Sequence, residues 1–176
     1  AISPFNEPLL KKAGVTKIPE TWEEVYQVAK KCREWAKGNL GKDYYGFTFG
    51  ATRAGHIHIA MLSALAYSQG GRLLKDGKWN LDTPEFRNSW NYLISMIKED
   101  IADVACLGYS WEDYQKSFGM GKAAMMLGYS VYAVKFDTDF PEMAGDWAAV
   151  PPPKWDAKQP DSNRSVYINY DEYVIN

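Results

Sequence analysis

The sequence predicts a single α/β domain with a mixed sheet and helices on its faces. Three observations support this. Segments with helical spacing alternate with short strand-like runs, the 176 residues are enough for one core, and hydrophobic and charged residues make up 46% and 24% of the chain.

The clearest helix signal begins at Thr21. Together with Glu24 this residue forms a capping box, in which each side chain satisfies a free backbone N–H. A short helix at 7–13 precedes it, and we expect the main helix to end at Gly38. Its apolar residues recur every three or four positions and define the side that faces the core: Trp22, Val25, Ala29, Cys32 and Ala36.

The next segment combines a strand, a helix and a hairpin. Residues 44–49 are rich in strand formers, and residues 57–68 are apolar almost all round, which is typical of a buried helix. A turn at Asp76-Gly77 predicts a small hairpin between Leu73 and Trp79.

A second strong helix begins with Thr83 as N-cap and Pro84 at the first helical position. Its predicted core side is Phe86, Trp90, Leu93, Ile94 and Ile97. A third helix is capped by Ser110 with Asp113, and its core side is Trp111, Tyr114 and Phe118. The remaining predicted elements are a strand at 123–127, a helix at 130–136 and strands at 147–150 and 166–168.

Composition excludes several function classes. The net charge is −2 and the chain has no long basic run, so neither nucleic acid nor an anionic membrane is an expected partner. There is no apolar run long enough for a membrane span. The first residues lack a signal-peptide pattern, which does not argue for the cytoplasm because a chain can begin inside a longer protein. Cys32 and Cys106 have no CxxC spacing; one bridge is possible, and two buried thiols are favoured.

The motifs that could carry chemistry have simpler explanations. Gly119–Lys122 lacks the Ser or Thr of a phosphate loop and follows a helix instead of a strand. His56 and His58 would point to different sides of a helix, so no metal site is predicted. The acid pairs Glu23/Glu24 and Glu112/Asp113 lie in first helical turns, where acids stabilise the helix dipole, so we expect no catalytic residue and no cofactor.

Polar and aromatic residues in glycine-flanked loops form the candidate ligand-binding set. Aromatic residues total 15% of the chain. Rings can cover the C–H faces of a polyol, while a few fixed donors pair with its hydroxyls. The candidates are Thr52, Arg53, His56, Tyr109, Trp111, Tyr129, Ser130, Tyr132 and Arg164, with Asn163 beside the last of these. Trp111 is also a candidate core residue because it begins a helical stripe.

Several motifs in a fixed order resemble family 1 extracellular solute-binding proteins, the maltose-binding-protein-like group that serves ABC importers. The matching segments cover nearly the whole chain and are Phe5–Gly14, Pro19–Glu24, Tyr45–Phe47, Gly70-Gly71, Leu81–Glu85, Phe118–Met125 and Val150–Pro153.

The resemblance implies a fold, a function and a location. It implies that residues 1–176 are one lobe of a two-lobe periplasmic-binding-protein type II fold, with the other lobe absent. It implies capture of an extracellular solute, a sugar or oligosaccharide, and delivery to a membrane permease by hinge closure. The protein would be a monomer in the periplasm or lipid-anchored at the cell surface.

One departure from the family pattern concerns the ligand. Where relatives carry a Gly-x-Trp segment with stacking tryptophans, this chain has Ser130 and Tyr132 after Gly128, which leaves the particular sugar open. Two alternatives also stay open. One is a carbohydrate-active enzyme or accessory module, and the other is the same fold binding an anion through Arg53 and Arg164.

Overall fold

A computed structural model describes residues 2–52, 57–129, 132–161 and 164, with only the backbone described for Ile57, His58 and Ala133. Its helices are α1 Glu7–Lys12, α2 Trp22–Asn39, α3 Ile57–Ser68, α4 Pro84–Lys98, α5 Trp111–Gly119 and α6 Tyr132–Asp139. Its strands are β1 Ser3–Asn6, β2 Tyr45–Thr48, β3 Leu74–Lys75, β4 Lys78–Trp79, β5 Ala123–Met126 and β6 Trp147–Val150. The mixed α/β fold class is confirmed. The strand expected at 166–168 lies outside the described residues.

The main sheet has four strands in the order β2-β5-β1-β6. Strand β2 is parallel to β5, with Phe47 opposite Met125, while β1 is antiparallel to both of its neighbours. The sequence pattern did not predict β1. Its four residues include Pro4, which cannot donate a ladder hydrogen bond and argues locally against a strand inside a sheet. Pairing with β5 on one side and β6 on the other holds this segment as a strand despite the proline.

The separate hairpin of β3 and β4 agrees with its sequence signal. Asp76 and Gly77 both have positive φ, 51° and 73°, as a two-residue turn with the twist of a hairpin requires. Strand residues Leu74 and Trp79 face each other and are both exposed.

Helix α2 begins as predicted and ends later than predicted. The backbone N–H of Glu24 donates to Thr21 Oγ1 at 3.2 Å, and the Thr21 N–H donates to Glu24 Oε2 at 3.2 Å. The expected stop at Gly38 is wrong, because the helix continues to Asn39 and the left-handed residue is Gly41, with φ of 119°. All five predicted core residues of this helix are buried.

Helix α4 is rotated relative to the prediction. Its buried residues are Phe86, Ser89, Leu93 and Met96, whereas Trp90, which was predicted in the core, is 46% exposed. Ser89 is small and fully buried, and its hydroxyl donates to the Glu85 carbonyl at 2.6 Å. Gln69, the residue after α3, also donates from Nε2 to Ser89 Oγ at 3.0 Å, so a small polar residue occupies the buried side of α4 next to Trp90.

Both cysteines are buried free thiols, as favoured from the sequence. Burial raises the pKa of Cys32 to about 12 and that of Cys106 to about 11. A thiol held protonated is a poor nucleophile, so these residues act as small apolar core side chains.

The sheet and α2 approach each other most closely at Gly46. A Cβ atom added at this residue would lie 1.8 Å from the carbonyl oxygen of Ala29. By contrast, nothing lies within 4 Å of a Cβ atom added at Gly38, which is in the same helix as Ala29.

We therefore expect the same substitution to have opposite effects at the two glycines. Gly46→Ala should lower the free energy of unfolding by about 3 kcal/mol or prevent folding, because backbone must move to make room. Gly38→Ala should raise it by about 0.5–1 kcal/mol, because alanine favours a helix interior. Urea unfolding followed by circular dichroism measures both, and a stable Gly46→Ala variant would contradict the packing of α2 on β2.

Candidate functional site

Parallel pairing gathers the candidate loops at one edge of the sheet. Because β2 and β5 are parallel, the segments that follow Thr48 and Met126 emerge at the same edge. The amino end of β1 lies there too, since Ile2 and Gly128 exchange backbone hydrogen bonds of 2.9 Å. Val150, at the end of β6, pairs with Ser3 at this edge. Ligands of open α/β sheets bind outside the carboxyl ends of strands, so we name this region the carboxyl edge.

Thr52 and Tyr109 meet at the carboxyl edge. The Thr52 N–H donates to the Tyr109 carbonyl at 3.3 Å, and the Ala51 N–H donates to the Cys106 carbonyl at 3.0 Å. These bonds attach the loop after β2 to a short 3-10 turn at Val104–Leu107 and to the chain that follows it. Two predicted site residues that are 57 positions apart are thereby held side by side.

The Tyr109 hydroxyl points to an acid that the sequence analysis did not single out. It donates to Asp103 Oδ2 at 3.4 Å. Burial, followed by the negative charge of Asp103, raises the pKa of Tyr109 to about 12. Asp103 also accepts from the Ala105 N–H at 3.0 Å, so it caps the 3-10 turn while it faces the tyrosine. The only sequence signal for this acid was its position just before a short turn.

Trp111 and Tyr129 form a pair of half-buried rings. Their centroids are 4.6 Å apart and the ring planes are inclined by 56°. Helix α5 fixes Trp111 at its first position, because Ser110 and Asp113 form the predicted capping box, with N–H to oxygen distances of 3.3 and 2.8 Å. Tyr129 follows β5 by three residues. The structure thus brings together two rings that the sequence suggested separately.

Tyr132 does not present an open ring to a ligand. Its side chain is only 3% exposed, and its hydroxyl is 2.7 Å from that of Tyr114, which is fully buried. The expectation that this ring covers a sugar is therefore not supported, and the cause is Gly128. A Cβ atom there would lie 2.7 Å from the Tyr132 ring, so the absence of a side chain lets the ring fold inward.

Arg164 lies apart from the ring pair. Its Nη1 donates to the Pro152 carbonyl at 3.2 Å, and its Nε is 3.5 Å from Asp161 Oδ1. Pro152 follows β6, which is two strands from β5 in the sheet order. The predicted residues Arg53, His56 and Ser130, and the neighbouring Asn163, lie outside the described residues.

The paired acids have structural roles in the described part of the chain. Glu24 and Asp113 complete capping boxes, while Glu112 accepts from the Ser110 hydroxyl at 2.9 Å. Hydrogen bonds from the Ser110 backbone and side chain lower the pKa of Asp113. The described residues include no group of three or more His, Cys, Asp or Glu side chains placed to hold a metal ion.

Nearly the whole described fold falls within a match to a known family of binding proteins. The family model for the bacterial extracellular solute-binding protein matches residues 5–176, and the chain belongs to this family. Within the described residues, no helix is both long and apolar enough to span a membrane.

Named relatives cover the chain well and are themselves much longer. A relative from Brucella abortus (strain 2308), named only as a binding protein, is 28% identical over 151 residues, which are 84% of this chain and 34% of that protein. A Brucella suis biovar 1 (strain 1330) relative gives the same values. The chain thus spans about a third of the length of the curated relatives it matches.

Solved structures give the same picture of the fold. Maltose-bound MalE3 of T. maritima has a TM-score of 0.75 at 24% identity, covering 87% of this chain and 38% of that one. A solute-binding protein of Agrobacterium radiobacter K84 in complex with ribitol has a TM-score of 0.73 at 26% identity, covering 90% and 38%. A Thermotoga lettingae protein with bound α-D-tagatose has a TM-score of 0.76 at 24% identity, covering 90% and 40%.

The buried phenols at this edge predict alkaline instability. Burial raises the pKa of Tyr114 and Tyr132 above the ordinary 10.0, as it does for Tyr109. Above about pH 10 the unfolded chain releases these protons while the folded chain keeps them, so stability falls as pH rises. We expect the urea midpoint to be insensitive to these groups below about pH 9 and to decrease above about pH 10, with the last of the tyrosinate absorbance appearing together with unfolding. Full tyrosinate absorbance in a folded chain would contradict this burial.

Proposed function

We propose that this chain is one lobe of a two-lobe extracellular binding protein, and that it holds a sugar or polyol at the carboxyl edge. The observation that carries the proposal is the half-buried pair of Trp111 and Tyr129 at the edge where Thr52 and Tyr109 meet. Rings of this kind cover the C–H face of a sugar, and nearby hydroxyl and amide groups pair with its oxygens. The maltose, ribitol and tagatose in the similar structures support this ligand class.

The contacts of the described residues favour this proposal over an anionic solute. Arg164 is already beside the Asp161 carboxylate, which also receives Lys154 at 3.2 Å. A guanidinium that faces a carboxylate offers less net positive charge to a ligand. The acids that an enzyme hypothesis would use, such as Glu112, are occupied at helix starts.

The proposed transport role requires that the ligand is held between two surfaces, one on each lobe. Ligand held by one lobe gains contacts with the second lobe only in the closed state, and this difference in affinity shifts the equilibrium toward closure. A membrane permease of an ABC importer would recognise the closed form. We place the protein outside the cytoplasm, in the periplasm or lipid-anchored at the cell surface, as a monomer.

Hinge closure makes a quantitative prediction for the chain alone. Because it lacks the second surface, we expect it to bind maltose or ribitol at least about tenfold more weakly than a longer protein that carries both lobes, a difference of about 1.4 kcal/mol. Titration calorimetry on the two proteins measures this. Equal affinities would mean that closure contributes nothing and would contradict the mechanism.

Ring removal should separate sugar from anion binding. Tyr129→Ala should weaken binding of maltose about tenfold, because one stacking surface is lost, and should leave any binding of sulfate nearly unchanged. Trp79→Ala is the matched control, since this tryptophan is 66% exposed on the separate hairpin. Chemical-shift titration by NMR detects such weak binding. Equal losses for maltose and sulfate, or an effect of Trp79→Ala as large as that of Tyr129→Ala, would exclude the ring pair as the sugar site.

A further inference from the structure

Four aromatic rings, two at the carboxyl edge and two behind it, contact one another in a closed loop. We call this group the circuit. Trp111 contacts Tyr129 at 4.6 Å between centroids, Tyr129 contacts Tyr132 at 6.0 Å, Tyr132 contacts Tyr114 at 6.3 Å, and Tyr114 contacts Trp111 at 6.1 Å. Two chain segments build this circuit, each contributing residues three positions apart. Helix α5 supplies Trp111 and Tyr114, and the segment after β5 supplies the other two.

The circuit has an outer and an inner half. Trp111 and Tyr129 are half-buried, whereas Tyr114 and Tyr132 are 0% and 3% exposed. The inner hydroxyl groups are 2.7 Å apart, so one of them donates to the other inside the core. Burying two hydroxyl groups is unfavourable unless they pair, and two phenylalanines would fill nearly the same volume without that cost. A hydrogen bond adds what apolar packing lacks, namely a defined direction and register between the segments.

We propose that the Tyr114–Tyr132 hydroxyl pair is a positioning device that holds the outer rings Trp111 and Tyr129 in a ligand-ready arrangement. This inference rests on the proposed function, because the outer rings are the proposed sugar-binding surface. Each inner tyrosine packs against one outer ring, and the bond joins the two inner tyrosines. It therefore fixes the first turn of α5 relative to the segment after β5.

Stability measurements should show that the two hydroxyls act as a unit. In Tyr132→Phe the buried Tyr114 hydroxyl loses Tyr132 as its partner, and we expect the unfolding equilibrium constant to rise about tenfold or more. In Tyr114→Phe the Tyr132 hydroxyl keeps its contact with Gln115, so the rise should be smaller. In the double variant no orphaned hydroxyl remains, so the rise should be far smaller than the product of the two single effects. Additive effects would show that the hydroxyls are not coupled and would overturn the proposal.

The decisive experiment compares the double variant with a matched control by ¹⁹F NMR. The chain is labelled with 5-fluorotryptophan, and the Trp111 signal is assigned with Trp111→Phe. The control is Tyr92→Phe, which removes a partly buried tyrosine hydrogen bond, from the Tyr92 hydroxyl to the Trp22 carbonyl at 2.7 Å. The Tyr92 ring packs on Trp22 at 5.7 Å and does not take part in the circuit.

A positioning role predicts a reciprocal pattern. The double variant should shift or broaden the Trp111 signal and leave the Trp22 signal unchanged, while Tyr92→Phe should do the opposite. The double variant should also weaken maltose binding about threefold or more, as followed on the Trp111 signal. An unchanged Trp111 signal and unchanged maltose affinity in the double variant would show that the hydroxyl pair is only a core contact and would overturn the proposal. So would a change in both tryptophan signals, because that indicates general loosening.

This design also separates the two proposals. If the wild-type chain shows no response to maltose or ribitol at any concentration, the proposed function is contradicted. The position of the Trp111 signal, which needs no ligand, would still decide whether the hydroxyl pair orders the outer rings.

Discussion

The hydrogen-bonded pairing of β2 with β5 brings together the candidate residues at the carboxyl edge. Both strands run in the same direction, with Tyr45 opposite Ala123 and Thr48 opposite Met126, so the loops that follow them leave the sheet together. All four residues of β5 are buried, and β2 packs under α2 at Gly46 with no room for a side chain. The loop to Thr52 and the segment to Tyr129 are therefore neighbours, although they are far apart in sequence. Without this pairing the rings and donors would have no common edge.

Local chemistry explains which elements the sequence could predict. Both capping boxes and the Asp-Gly turn appear in the structure as expected, because each depends on residues within four positions of one another. Strand β1 and the rotation of α4 could not be predicted in this way. The former contains a proline and is held by strands 120 or more residues away. In the latter, the buried Ser89 bonds to Gln69, which is 20 positions away. Tertiary contacts outweighed local propensity in both cases.

The candidate site was predictable to a similar extent. Glycine-flanked loops with aromatic residues indicated Tyr109, Trp111 and Tyr129, and the structure gathers these with Thr52 at the carboxyl edge. The same pattern suggested Tyr132, whose ring instead turns inward over Gly128. A tyrosine has both an apolar ring and a polar hydroxyl, so sequence alone does not decide whether it faces a ligand or the core. The decision here depends on a hydroxyl partner, Tyr114, that is 18 positions away.

Under the proposed function, a platform of this construction would be incomplete as a binding site by itself. The hydrophobic core extends up to the inner tyrosines, which are 0% and 3% exposed. The outer rings can cover only one face of a sugar, however, and the opposite face would stay in water. A rigid platform lowers the ordering cost of binding, but desolvating the ligand requires a cover. The chain matches only about a third of the length of its relatives, and under the proposed function the rest of a longer protein would supply that cover.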